Sequence, residues 1–89
     1  MKNMVVVINI FTESKELDKV AAAIAALPES IDVYEVTGEY DIVALVGAND
    51  IASFRDFLKN KILKINGVNS TVTSLILHTH KENGKIVYK

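Results

Sequence analysis

The sequence VTGEYDIVALV, residues 36–46, decides the fold of this chain. Apolar, β-branched runs stand on both sides of a short polar segment. Glycine adopts positive φ without a Cβ penalty, so Gly38 marks a turn between two strands. With Gly38 and Glu39 as a two-residue loop, we predict a type II′ hairpin whose second strand opens with Tyr40 and Asp41. Polar groups at the mouth of this hairpin are a candidate site for a small ligand.

Two amphipathic helices are predicted, one on each side of the hairpin. The first takes Ser14 as its N-cap and ends before Pro28, because the residue before a proline avoids helical geometry. The second begins at the capping pair Asn49-Asp50. Its predicted inner stripe consists of Ile51, Phe54, Leu58 and Ile62, with Phe57 beside them.

The remaining segments read as strands. They cover residues 4–11, 31–36, 42–46 and 68–80, and a short last strand, 86–88, follows the turn pair Asn83-Gly84. Asn-Gly is typical of a type I′ hairpin, so the last strand folds back on its own chain or reaches a neighbour. The order strand, helix, strand, strand, helix, strand predicts an α+β, ferredoxin-like βαββαβ fold with an antiparallel sheet.

The predicted sheet has apolar side chains on both faces, although two helices cover only one. In the first strand, residues 4–11, both alternating sets are mostly apolar. About six exposed residues at ~1.5–3 kcal/mol each would leave on the order of 10 kcal/mol of burial unused. We therefore expect a sheet-on-sheet homodimer, a dimeric α/β barrel, with a mass of twice 9.8 kDa or a higher even multiple.

Composition limits the possible functions. The chain has 89 residues, no cysteine, ten basic and eleven acidic residues, and a net charge of −1. This fits one domain without disulfides or cysteine-ligated metals, and it favours a cytoplasmic location. No apolar run approaches the ~18 residues of a membrane span, and no signal peptide is evident. Arg55 is the single arginine and no basic cluster appears, so direct DNA binding by this chain is not expected.

Several segments together resemble the effector-binding (RAM) domain of the Lrp/AsnC family of transcription regulators. They are residues 36–42, Asp50-Ile51, Lys61-Ile62 and residues 67–77 (GVNSTVTSLIL). The resemblance implies a βαββαβ domain that dimerises through its sheets, often in a ring of four dimers, with an amino-acid effector between dimers. Family regulators carry an N-terminal helix-turn-helix, for which residues 1–3 leave no room. We therefore expect residues 1–89 to be a single stand-alone domain that co-assembles with full-length regulators or senses an amino acid.

The same resemblance implies an effector site made from the hairpin turn and the polar part of the last long strand. The backbone N–H groups at Gly38 would bind a carboxylate, Asp41 would pair with an α-ammonium group, and Tyr40 would form a wall. Thr71 and Thr73 lie two residues apart, so their hydroxyls share one side of the strand and would reach the ligand from a neighbouring dimer.

Each of these residues also has a purely structural interpretation. Gly38 can serve turn geometry alone, Asp41 can bind turn amides, and Thr71 with Thr73 can be an exposed strand ladder.

Glu39 stands at the variable position of the motif, where an acidic group would favour a basic or amide side chain on the ligand.

Two alternatives remain open at this stage. One is a small enzyme of the dimeric α+β barrel type, a monooxygenase or isomerase, to which Asn9 alone points. The other is an ACT-type amino-acid sensor with the same strand order. No catalytic motif, cofactor-binding loop or metal site is evident, and the pair His78 and His80 reads as a solvated strand end.

Overall fold

The computed structural model describes residues 4–87, which form a four-stranded antiparallel sheet, two helices and a separate small hairpin. The elements are β1 (Met4–Thr12), α1 (Leu17–Ala25), β2 (Ser30–Glu35), β3 (Ile42–Ala48), α2 (Ile51–Phe57), β4 (Val68–Leu75), β5 (Lys81–Glu82) and β6 (Lys85–Ile86). The sheet order is β2-β3-β1-β4, and β5 pairs only with β6. The predicted ferredoxin-like α+β fold is confirmed.

One core lies between the helices and one face of the sheet. In β1 from Val5 onward and in β3 up to Val46 every second residue is buried, because successive side chains in a strand point to opposite faces, and Gly47 and Ala48 are buried as well. The buried apolar residues from these strands and from both helices form one cluster. Its members are Val6, Ile8, Ile10, Val20, Ile24, Ile42, Ala44, Val46, Phe57 and Ile62. Both helices therefore pack on the same face.

The two predicted helix starts have different outcomes. Asp50 caps α2 as expected, and its Oδ1 accepts a hydrogen bond from Ser53 N at 2.7 Å. The prediction that Ser14 caps the first helix is wrong. Ser14–Glu16 form a 3₁₀ turn, and no side chain caps α1. Glu13 N donates to Gly67 O at 3.1 Å, which ties this turn to the segment before β4 and sets where α1 begins.

The inner side of the second helix also differs from the prediction. After α2 the chain makes a π-helical turn, Leu58–Ile62, in which Leu63 N donates to Leu58 O at 2.9 Å. The five-residue spacing rotates the helix relative to a regular 3.6-residue period. Phe57 and Ile62, five residues apart, are both buried, whereas Ile51 at the start of α2 is 65% exposed. The placement of Ile51 in the inner stripe was therefore wrong.

The opposite face of the sheet, which we call the open face, carries no helix. Strand register places Val43, Asn9 and Val72 in one row across it, and Leu45, Val7 and Ser74 in the next. Its apolar side chains are half-buried or exposed, and they are Val5, Val7, Phe11, Val43, Leu45 and Val72. The predicted surplus of apolar side chains on the uncovered face is present.

The segment after β4 leaves the sheet earlier than predicted. The strand ends at Leu75 and not near residue 80, and residues 76–87 form what we call the C-terminal arm. Asn83 and Gly84 have φ angles of 52° and 78°, as a type I′ turn requires, so that turn is confirmed. The last strand, β6, folds back on β5 of its own chain. Residue 88, the predicted end of this strand, lies outside the described residues.

Candidate functional site

The hairpin loop between β2 and β3 is longer than predicted. Val36 N donates to Asp41 O at 3.0 Å, so the loop has four residues, 37–40, and the two-residue type II′ loop is wrong. Tyr40 therefore belongs to the loop and not to the strand. Gly38 has φ +110°, and a Cβ there would meet no atom within 4 Å. The predicted positive φ is confirmed, and the Gly38 backbone is open to approach.

Asp41 connects the loop to the end of β1. Its backbone N–H donates to Ile10 O at 3.0 Å, and its carboxylate Oδ2 accepts from Thr12 N at 2.9 Å. The acceptor is used across the sheet and not for the amides of its own turn. Within residues 4–87, no other hydrogen bond engages the carboxylate. One oxygen thus holds the end of β1, while the other, Oδ1, accepts no hydrogen bond from the described residues.

Tyr40 is held against Phe11. Their ring centroids are 5.0 Å apart and the planes are inclined by 58°. Phe11 lies on the open face and Tyr40 is half-buried, so the two rings form an aromatic wall beside Asp41. Sequence reasoning missed Phe11, because an apolar residue at a strand end carries no signal for a loop contact.

Thr12 was also missed, although it lies at the centre of this region. A bulge between Phe11 and Thr12 shifts the pairing with β4. Besides binding Asp41 through its amide, Thr12 buries a side-chain Oγ1 that has no hydrogen-bond partner among the described residues. Nothing local predicts this, because the contact joins residues 29 positions apart.

Thr71 and Thr73 share one side of β4, as predicted, but that side is the one the helices occupy. Thr71 pairs with Ile10 and Thr73 with Ile8, and directly opposed residues of an antiparallel pair share a face. Tyr40 packs on the open face instead. Within one subunit, the structure brings residues 38–41 together and separates them from the two threonines.

The pKa shifts lie outside this loop. Hydrogen bonding to Asp18 raises the pKa of Glu35, and desolvation and the charge of Asp18 act in the same direction. Hydrogen bonds from the Ser53 backbone and side chain lower the pKa of Asp50. Both effects concern the helix side of the molecule.

The described residues offer little for a metal. The rings of His78 and His80 meet edge to face with centroids 4.7 Å apart. Across residues 4–87 there is no group of three or more histidine, cysteine, aspartate or glutamate side chains suited to a metal ion. Nor does any helix in this part of the chain have the length and hydropathy to cross a membrane.

A groove of about 430 Å³ lies at the other end of the sheet. Its walls come from the open face and from the C-terminal arm, and they include Val5, Leu45, Ile76 and Lys81. The groove is therefore distinct from the predicted site at the hairpin loop.

Comparison with known proteins gives a consistent result. The family model described as Lrp/AsnC ligand binding domain matches residues 5–86. HTH-type transcriptional regulator FL11 of Pyrococcus horikoshii is 33% identical over 87 residues, which is 98% of this chain and 57% of that protein. The chain thus spans little more than half the length of this relative.

Solved structures share the fold. The protein TTHA0845 from Thermus thermophilus has a TM-score of 0.82 at 33% identity, covering 89% of this chain and 99% of that one. The transcriptional regulator NMB0573 of Neisseria meningitidis, solved as a complex with L-Met, has a TM-score of 0.84 at 22% identity. That match covers 96% of this chain and 56% of the regulator, and it shows a common fold.

Proposed function

Because this chain belongs to the family of Lrp/AsnC ligand-binding domains, we propose that it binds a free amino acid and acts in transcription regulation through oligomeric assembly. The family consists of ligand-binding domains of transcription regulators and not of enzymes. Membership therefore sets aside the barrel-enzyme and ACT-type alternatives. The observation that carries the proposal is the arrangement of Asp41 and the Phe11–Tyr40 wall beside an open glycine backbone.

The chemistry of the loop fits the two ends of an amino acid. Asp41 Oδ1 is the acceptor for the α-ammonium group, since Oδ2 is already held by Thr12 N. The backbone N–H groups around Gly38, where no side chain blocks access, are donors for the carboxylate. The aromatic wall contacts the ligand side chain, and the exposed Glu39 selects among side chains.

Two structural neighbours support an amino acid as the ligand class. The Neisseria regulator NMB0573 was solved with L-Met, and so was the feast or famine regulatory protein Rv3291c of M. tuberculosis. Both are under 25% identical to this chain, so we propose the class and not methionine itself.

The proposal requires assembly, because one subunit does not join the two halves of the site. Thr71 and Thr73 point away from the hairpin loop of their own subunit, so they contribute hydroxyls to a ligand held by a neighbour. We propose that subunits pair through the open face and that dimers assemble further, as in a ring of four dimers. The ligand then lies between dimers.

We further propose that the partners are full-length regulators of the same family and not DNA. The net charge of −1 and the lack of a basic cluster support this. A cytoplasmic location follows from such partners.

A thermal-shift panel of the twenty amino acids tests the binding proposal. At a ligand concentration of about 100 times Kd, the apparent stability should rise by ~2.7 kcal/mol. Asp41→Asn keeps an oxygen acceptor for Thr12 N but loses the charge, and Thr71→Val keeps the shape but loses the hydroxyl. Ser74→Ala is the matched control, because Ser74 lies on the other side of the same strand.

We expect the shift to be abolished in Asp41→Asn, reduced in Thr71→Val and preserved in Ser74→Ala. If no amino acid stabilises the wild-type protein, the proposal is wrong. Equal shifts in the wild type and Asp41→Asn would leave Asp41 with its structural role alone.

A further inference from the structure

The C-terminal arm, residues 76–87, is positioned by its own backbone pairing. Ile76 N donates to Val5 O at 3.2 Å where the arm leaves the sheet. Val87 N donates to His80 O at 2.9 Å and closes the base of the β5–β6 hairpin. None of the arm's side chains belongs to the buried cluster or to the residues packed against it. The arm therefore lies outside the core of its own subunit.

Two large apolar side chains of the arm point into solvent. Leu77 is 90% exposed and Ile86 is 61% exposed. The backbone next to Leu77 is held by the hydrogen bond of Ile76, and the Leu77 side chain lies in solvent. An exposed apolar side chain beside an apolar groove is a candidate contact for another molecule.

The groove beside the arm suits such a side chain. Val5, Leu45 and Ile76 form its apolar floor, and Asp32 and Lys81 lie at its polar rim. Val5 and Leu45 belong to the open face, so the groove and the proposed dimer interface are one continuous surface.

The open face has a small outline compared with the area of a typical protein–protein interface. Four strands spaced about 4.8 Å apart and seven residues of about 3.3 Å each span about 19 Å by 23 Å, or roughly 440 Å². A stable protein–protein interface buries about 800 Å² on each partner. This flat outline is smaller than the accessible surface of the face, and the arm beside it enlarges the surface that a second copy can cover.

We propose that the C-terminal arm clasps a second copy of this chain, with Leu77 of each copy seated in the groove between the arm and the sheet of the other. The exchange follows from two-fold symmetry, since each subunit presents both the side chain and the groove. The inference rests on the dimer in the proposed function and deepens it, and it does not depend on amino-acid binding.

Sedimentation equilibrium on the full chain over a range of concentrations tests the clasp. Leu77→Asp should raise the dimer Kd by about tenfold or more, because a carboxylate would enter an apolar groove. Ile51→Asp is the matched control, since Ile51 is 65% exposed and lies on the helix side of the molecule. Its dimer Kd should stay within about twofold of the wild-type value.

The possible results distinguish the clasp from the proposed dimer and from amino-acid binding. A monomeric wild type would overturn the clasp together with the proposed dimer. A dimeric wild type whose Kd is unaffected by Leu77→Asp would overturn the clasp and leave the dimer. The thermal-shift panel tests amino-acid binding, which requires the assembly but not the clasp.

A fluorescent label gives a second measurement that does not depend on a destabilising charge. The chain has no cysteine, so Leu77→Cys accepts a single environment-sensitive dye. We expect its emission to shift to the blue as the concentration rises through the dimer Kd, because the dye enters an apolar site. A dye at Ile51→Cys should show no change, and an equal response at both positions would contradict the clasp.

Discussion

Asp41 joins a structural and a proposed binding role in one side chain. Oδ2 is occupied by Thr12 N at 2.9 Å, so the carboxylate is oriented before any ligand arrives. A charged acceptor held in this way costs less to order when it binds a cation, which is the advantage of preorganisation. The structural contact across the sheet and the proposed ligand contact are therefore compatible, since each uses a different oxygen.

Gly38 and Gly67 have similar positive φ angles but different surroundings. Alanine substitutions at the two positions therefore separate the cost of backbone strain from the cost of steric crowding. Gly38→Ala meets no atom within 4 Å at φ +110°, so it should cost only strain, ~1–2 kcal/mol. Gly67→Ala has φ +103° and places a Cβ 2.7 Å from Glu16 Cβ and 2.9 Å from Val20 Cγ2. It should cost a further ~1–3 kcal/mol. Urea denaturation measures both, and equal losses would contradict the crowding argument.

The contact between Asp18 and Glu35 predicts a pH-dependent stability. Because the pKa of Glu35 is raised above its ordinary 4.5, its contribution is present below that value and is lost as pH rises through the folded pKa. Glu35→Gln should therefore stabilise the protein relative to wild type at neutral pH and not in acid. Chemical denaturation at several pH values measures this difference.

Glu13→Gln is the control for that experiment, because Glu13 is exposed and its backbone N–H makes its hydrogen bond to Gly67. The control should behave like the wild type at every pH. If the Glu35→Gln difference does not change with pH, the contact with Asp18 has no effect on stability.

At the scale of an element, the N-terminus of α2 depends on Asp50. The hydrogen bonds from Ser53 lower the pKa of Asp50 below its ordinary 3.8, so its contribution is present above that value and is lost as pH falls through the folded pKa. Asp50→Ala should lower the free energy of unfolding at neutral pH, and the difference from wild type should shrink in acid.

Asp50→Ser distinguishes the cap from the charge, since serine caps helices about as well as aspartate. Its stability should lie near the wild-type value at neutral pH and lack the acid-dependent part. Denaturation curves of the three proteins in parallel provide the test, and a serine variant as unstable as the alanine variant would show that the charge matters more than the cap.

At the scale of the whole molecule, the open face should make the protein a dimer. Leu45→Lys places an ammonium group between two sheets, where desolvation opposes association, and it should produce a monomer. Leu63→Lys is the control, because Leu63 is exposed just after the π-helical turn on the helix side. Light scattering at micromolar concentration should give twice 9.8 kDa or a higher even multiple for the wild type and the control. A wild-type mass of 9.8 kDa would refute the dimer.

Much of the fold was determined by local chemistry and could be predicted from the sequence. Alternation and β-branched residues placed the four strands, Asp50 marked a helix start, and Asn83-Gly84 specified its turn. Each of these signals acts between residues that are near one another in the chain. The apolar residues on both faces of the strands likewise predicted an uncovered apolar face. This prediction needs only the number of apolar residues in each strand and not the register between strands.

Only the tertiary structure decided which distant residues meet. Helix packing left Ile51 exposed, Thr12 N donates to Asp41 although the two residues are 29 positions apart, and β-sheet register placed Thr71 on the side opposite Tyr40. A shift of one residue in pairing exchanges the two faces of a strand, yet it leaves the hydrophobic pattern of that strand unchanged. The loop residues and the two threonines could therefore be proposed from the sequence, whereas the contacts of Phe11 and Thr12 and the division of the proposed site between two sides of the sheet depend on pairing between strands far apart in the chain.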